Sequence, residues 1–116
     1  MKNILYIITG ASSGLGLSFV EVLNNTNREP DTHNHLLLIA RNKLKLLNLK
    51  NINESKFMKI DIHSLDLSIH SSYNKLSKIF NDIKWADYSK VILINNASTI
   101  LPISHLNETD NKAVLN

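Results

Sequence analysis

A chain of 116 residues is long enough for one small domain with its own core, and with no cysteine it can build neither a disulfide framework nor a thiolate metal site. Its net charge of +3 comes from basic residues scattered among asparagine, serine and acids, a solvated surface that points away from nucleic acid. The first apolar run stops at Thr9, far short of a signal segment or a membrane span, so a cytoplasmic location with no membrane partner is expected.

Residues 4–8, Ile-Leu-Tyr-Ile-Ile, predict a strand buried on both faces. Thr9-Gly10-Ala11-Ser12-Ser13-Gly14-Leu15-Gly16 follows, and Leu15, Phe19, Val20 and Leu23 then recur at helical spacing. A strand, a glycine turn and a helix in that order present free backbone N–H groups and the positive end of a helix dipole to a pyrophosphate. Gly10 lets the chain leave the strand sharply, Gly14 lets backbone approach a ligand, and Gly16 lets the helix pack close to the sheet. The spacing departs from the G-x-G-x-x-G fingerprint and lacks the lysine of a P-loop, and a plain glycine-rich turn explains the same residues.

Residues 24–34 are polar and contain Pro30, which predicts a long loop. His33 and His35 stand in or beside it; with no third ligand nearby they read as solvent-facing, and no metal is assigned. A second strand over residues 36–39 runs into Ala40-Arg41-Asn42. In a doubly wound sheet an acid here would take the 2′-hydroxyl of NAD, whereas an arginine pairs with the 2′-phosphate of NADP. Arg41 therefore favours NADP over NAD, unless it merely starts the next helix.

Leu44, Leu46, Leu47 and Leu49 predict one to two helical turns packed on the sheet, and residues 51–55 a polar turn. A third strand over residues 56–60 ends at Asp61-Ile62, where Asp61 can cap the following helix. From Ser64, the positions Leu65, Ile69, Tyr73, Leu76, Phe80 and Ile83 predict the longest helix, with Asp66 in its first turn, Lys78 and Lys84 toward its last, and Trp85 packing at its end. His63, His70 and His105 form no site. A fourth strand over residues 91–94 carries Asn95-Asn96-Ala97, then comes a loop over residues 99–106 and a helix start at 107–110.

Thr9-Gly-Ala-Ser-Ser-Gly-Leu-Gly16 together with Asn95-Asn-Ala-Ser98 resembles the short-chain dehydrogenase/reductase family, with its T-G-x-x-x-G-x-G turn and N-N-A-G segment. Residues 6–12, 40–42 and 88–97 look most like its sepiapterin reductase and benzil reductase branch. Ser98 departs from the family glycine, and Ser12 and Ser13 stand where many NADP-preferring relatives carry a basic residue. The resemblance implies an α/β fold, a Rossmann-type doubly wound parallel sheet cut to about four strands in the order 3-2-1-4, with residues 1–116 the incomplete N-terminal part of one domain. It also implies a cofactor site of Gly10, Ser12, Ser13, Gly14, Leu15, Gly16, Arg41, Asp61, Ile62, Asn95, Asn96 and Ala97. Asp61 and Ile62 would flank the adenine, and the asparagines would face the glycine turn across the crevice, although both can equally be structural.

The family's catalytic serine and Tyr-x-x-x-Lys pair have no counterpart here: Tyr6, Tyr73 and Tyr88 lack a lysine four residues on. The expectation is thus an NADP-dependent reductase of ketones or aldehydes present as its nucleotide-binding half and inactive alone. A non-catalytic NADP(H)-binding module and an inactive fragment with an unpaired fourth strand are the alternatives. A small carbonyl substrate belongs to the complete protein, and homo-oligomerisation stays open.

Overall fold

The structure, a computed structural model, describes residues 2–12, 14–25 and 31–96, with the backbone alone at Leu15. Strands and helices alternate: β1 (Lys2–Thr9), α1 (Gly14–Asn25), β2 (Thr32–Ala40), α2 (Lys43–Asn53), β3 (Met58–Ser64), α3 (Ser72–Asp82), a 3₁₀ turn at Trp85–Asp87, and β4 (Lys90–Asn95). Every pairing is parallel, and the strand order is β3-β2-β1-β4, as the resemblance implies. Ser13, Ala97, Ser98 and the predicted loop and helix start over residues 99–110 lie outside the described residues.

The central strands are apolar on both sides because both sides are covered. On one face Ile8, Leu36, Leu38, Met58 and Ile60 pack with Val20 of α1 and with Leu46 and Leu49 of α2. On the other, Leu5, Ile7, Leu37 and Ile39 pack with Leu76 of α3 and with Leu65 and Leu67 before it. Each such side chain stabilises the fold by about 2 kcal/mol when fully buried. Among the described residues β4 is an edge strand, and its Val91 and Leu93 remain 40% exposed where their β1 partners Leu5 and Ile7 are buried.

Several boundaries differ from the sequence expectation, each for a local reason. His33, Asn34 and His35 belong to β2 and not to a loop, because the ladder with β1 begins at Lys2↔Thr32 and carries polar residues into the strand. α2 starts at Lys43 because Asn42 caps it, its side chain accepting from the Lys45 N–H at 3.0 Å, and it reaches Asn53, where the Glu54 N–H still donates to the Lys50 carbonyl at 2.9 Å. β3 starts at Met58, since Ser55 and Met58 exchange backbone hydrogen bonds and make residues 55–57 a turn. The helix expected from Ser64 begins only at Ser72. Asp66 accepts from the Ser68 N–H at 3.0 Å and the Ser68 hydroxyl at 2.6 Å, a local arrangement that competes with helical bonding. Lys84 consequently falls past the end of α3, and Trp85 sits in the 3₁₀ turn with its ring edge-on to Phe80.

Candidate functional site at the carboxyl edge of the sheet

β1 and β4 run side by side from Ile4↔Lys90 to Thr9↔Asn95, so the glycine turn and the asparagines leave adjacent strands at the same level. Thr9, nearly buried, ties them together. Its hydroxyl donates to Asn95 Oδ1 at 2.9 Å and accepts from the Asn96 N–H at 3.0 Å. Asn96 Nδ2 donates to the Gly10 carbonyl at 3.2 Å, while the Gly10 N–H donates to Ile39 of β2 at 2.8 Å. The start of the turn is therefore anchored from both neighbouring strands.

Gly10 and Gly14 adopt φ of 68° and 56°, the left-handed region that a side chain resists. A Cβ built on Gly14 would meet nothing within 4 Å, so the backbone there borders open space at the N-terminus of α1. On Gly16 it would stand 2.5 Å from the Gly10 carbonyl oxygen and 2.7 Å from the Ala11 Cα. Gly16 thus lets the first turn of α1 close on the backbone of the turn itself, a nearer neighbour than the sheet the sequence suggested. α1 carries no acid in its first turn, so no side chain competes there for an anion's place at the dipole. Open space, a left-handed turn and an unopposed helix start fit the pyrophosphate of a dinucleotide.

Arg41 lies exposed just past β2, its carbonyl accepting from the Ser64 hydroxyl at 2.8 Å. The Leu65 N–H donates to the Ala40 carbonyl at 2.9 Å, so the ends of β2 and β3 are clamped together. Asp66 follows directly. Its carboxyl is held below the usual range by the two Ser68 hydrogen bonds first, then by the Arg41 charge against an opposing burial effect. Arg41 and Asp66 therefore share the carboxyl edge.

Asp61 and Ile62 do not stand past the end of a strand as expected: β3 continues through Ser64, pairing Asp61 with Leu37 and Ala40 with Ser64. Ile62 packs on the α1 and α2 side of the core. The Asp61 carboxylate accepts from His35 Nε2 at 2.7 Å, and His35 Nδ1 lies 2.5 Å from the Tyr88 hydroxyl. In the neutral ring Nε2 carries the proton, so Nδ1 accepts from the phenol. Burial first, then the charges of Asp61 and Asp87, raise the Tyr88 hydroxyl above its ordinary value. His33 faces Phe57 edge-on, and the described residues hold no group of three side chains able to bind a metal.

The structure brings Gly10, Gly14, Gly16, Asn95 and Asn96 together beside a half-buried Ser12, and places Arg41 with Asp66 at the neighbouring strand ends. Ser13, Ala97 and the Leu15 side chain are outside the described residues. Sequence reasoning gave no role to the Thr9 hydroxyl or the Ser64 clamp, and it placed Asp66 in the first turn of a helix, not at the nucleotide site. A signal for Asp66 was present, since Asp66-Leu67 repeats the acid-aliphatic pattern of Asp61-Ile62 five residues on.

No protein-family model and no curated protein matches the sequence. Among solved structures, an L-sorbose reductase from Gluconobacter frateurii, in complex with NADPH and L-sorbose, matches with a TM-score of 0.62 at 25% identity, over 85% of this chain and 35% of that one. The fold is a Rossmann-type α/β sheet. The chain spans about a third of the length of that reductase. Within the Rossmann arrangement the crevice at the reversal of strand order, outside the carboxyl ends of the strands, is where ligands bind. Here that reversal falls between β1 and β4, at the Thr9, Asn95 and Asn96 seam.

Proposed function

We propose that this chain is the nucleotide-binding half of an NADP-dependent short-chain dehydrogenase/reductase that reduces a ketone or aldehyde to an alcohol, of the branch that includes sepiapterin and benzil reductases. The observation that carries the reading is the open, left-handed glycine turn anchored by Asn96 at the switch point of the sheet. The likeness to a reductase solved with NADPH supports the same cofactor.

The pyrophosphate would lie over residues 10–16 at the start of α1, with Asn95, Asn96 and Ala97 along the ribose. Arg41 would hold the 2′-phosphate. Beside the adenine, Asp66-Leu67 replaces Asp61-Ile62, because Asp66 stands past β3 and feels the Arg41 charge whereas Asp61 is spent on His35. When bound, the nicotinamide supplies the hydride; the residues of this chain bind and orient, and this sequence contains no Tyr-x-x-x-Lys pair to protonate a carbonyl.

Fluorescence titration with NADPH and NADH tests the reading. Saturable NADPH binding is expected, and Arg41→Ala weakens NADPH roughly tenfold or more while sparing NADH, as loss of a charged hydrogen bond implies. Gly14→Val abolishes binding of both while circular dichroism shows a folded protein. No NADPH binding by the wild-type chain, or equal loss of both nucleotides in Arg41→Ala, overturns the assignment.

A further inference from the structure

The outer face of α2 has a composition that neither the core nor the nucleotide crevice explains. The helix reads Lys43-Leu-Lys-Leu-Leu-Asn-Leu-Lys-Asn-Ile-Asn53. Leu46, Leu49 and Asn53 are its buried line against the sheet. At 100° per residue, Leu44 points directly away from that line, with Leu47 and Ile52 to its two sides. Leu44 is 79% exposed, Ile52 67% and Leu47 36%, so three large aliphatic side chains, with the exposed Asn48 and Asn51 between them, form the solvent-facing ridge of a helix that is already the outer layer. Lys43 and Lys50 flank the ridge on one side and Lys45 on the other, and no acid occurs between Asp31 and Glu54.

We propose that this ridge is a peripheral docking surface for an anionic lipid bilayer, with Leu44, Leu47 and Ile52 entering the headgroup boundary and the three lysines reaching the phosphates from both sides. Charge selects the occupant. A second copy would oppose lysine to lysine, whereas an anionic surface complements them. Shape selects the lipid over an acidic protein segment: an apolar helix face recognised by a protein normally lies in a groove, while a convex ridge with cations on both flanks suits a plane whose charges lie to either side of the inserted side chains. The sequence expectation of no membrane partner rested on the lack of a spanning segment. A surface contact needs none, and among the described residues no helix is long and apolar enough to cross a membrane.

The test is co-sedimentation of the full chain with vesicles of phosphatidylcholine alone and of phosphatidylcholine with phosphatidylserine. The chain should pellet with the second and stay free with the first, and raised salt should release it. Each lysine near the surface is worth roughly fivefold in partitioning, so Lys43→Glu/Lys45→Glu should reduce binding by more than an order of magnitude. Leu44→Glu should abolish it, and because Leu44 is largely exposed its melting temperature should hold. Failure of the wild-type chain to bind phosphatidylserine vesicles, or undiminished binding by Leu44→Glu, overturns the proposal. So does capture by an acidic helical peptide without vesicle binding, which would assign the ridge to a protein.

Discussion

Two polar clusters knit the sheet together, and they differ in what they leave over. At the carboxyl end, Thr9, Asn95 and Asn96 bond to one another and to the Gly10 carbonyl; the side chains fix a backbone turn whose outer surface stays open. On the face of β2 and β3, Asp61, His35 and Tyr88 bond in a line of side chains, each satisfying the next. The first cluster shapes a site for something else. The second is complete in itself, and the difference lies in position: only past the last ladder hydrogen bond do backbone donors become available to a ligand.

The comparison breaks most readily at Gly16. Gly16→Ala places a methyl 2.5 Å from backbone that cannot swing away, so the turn must shift. A loss of about 1–3 kcal/mol by urea unfolding is expected, together with at least a tenfold loss of NADPH affinity; unchanged stability would show that α1 does not close on the turn as described.

A smaller effect separates the two acids. Asp61→Ala should leave NADPH affinity within twofold and cost at most about 1 kcal/mol, because its pairing with His35 is well exposed. Asp66→Asn, which keeps an acceptor for Ser68, should weaken NADPH more than Asp61→Ala does. The reverse order would return the adenine contact to Asp61.

The smallest effect is read by pH. Burial and two acids raise the Tyr88 phenol, so its neutral form is favoured in the folded chain. That contribution is whole below the unfolded value of about 10 and is lost as pH rises through the folded value. Stability should therefore fall above about pH 10, and Tyr88→Phe should remove one late-titrating phenol from the absorbance curve and flatten the decline. An unchanged curve would detach Tyr88 from the cluster.

Much of this was legible in the residues because local chemistry and global fold agree there. Strands buried on both faces must be continuously apolar, so residues 4–8 and 36–39 announced a parallel sheet. All three glycines of the chain fall within residues 10–16, and the structure needs each of them to lack a side chain. Where polar residues sit in strands, the pattern failed. His33 to His35 and Asp61 to His63 read as loop or strand end, yet pairing with a neighbour holds them extended. The helix beginning at Ser64 failed for the opposite reason, since apolar spacing is blind to a carboxylate that captures the next N–H groups, as Asp66 does with Ser68.

Periodicity by itself determined the alternation of elements and the glycine turn, because those follow from side-chain size, branching and backbone freedom read a few residues at a time, while the α/β class and strand order came from the resemblance those motifs carry. Tertiary structure alone decided that Thr9 locks both asparagines to the turn, that Asp66 and not Asp61 reaches the edge beside Arg41, and that Asp61 meets His35 and Tyr88. Those contacts join residues up to 87 positions apart, and only strand register sets which of them meet.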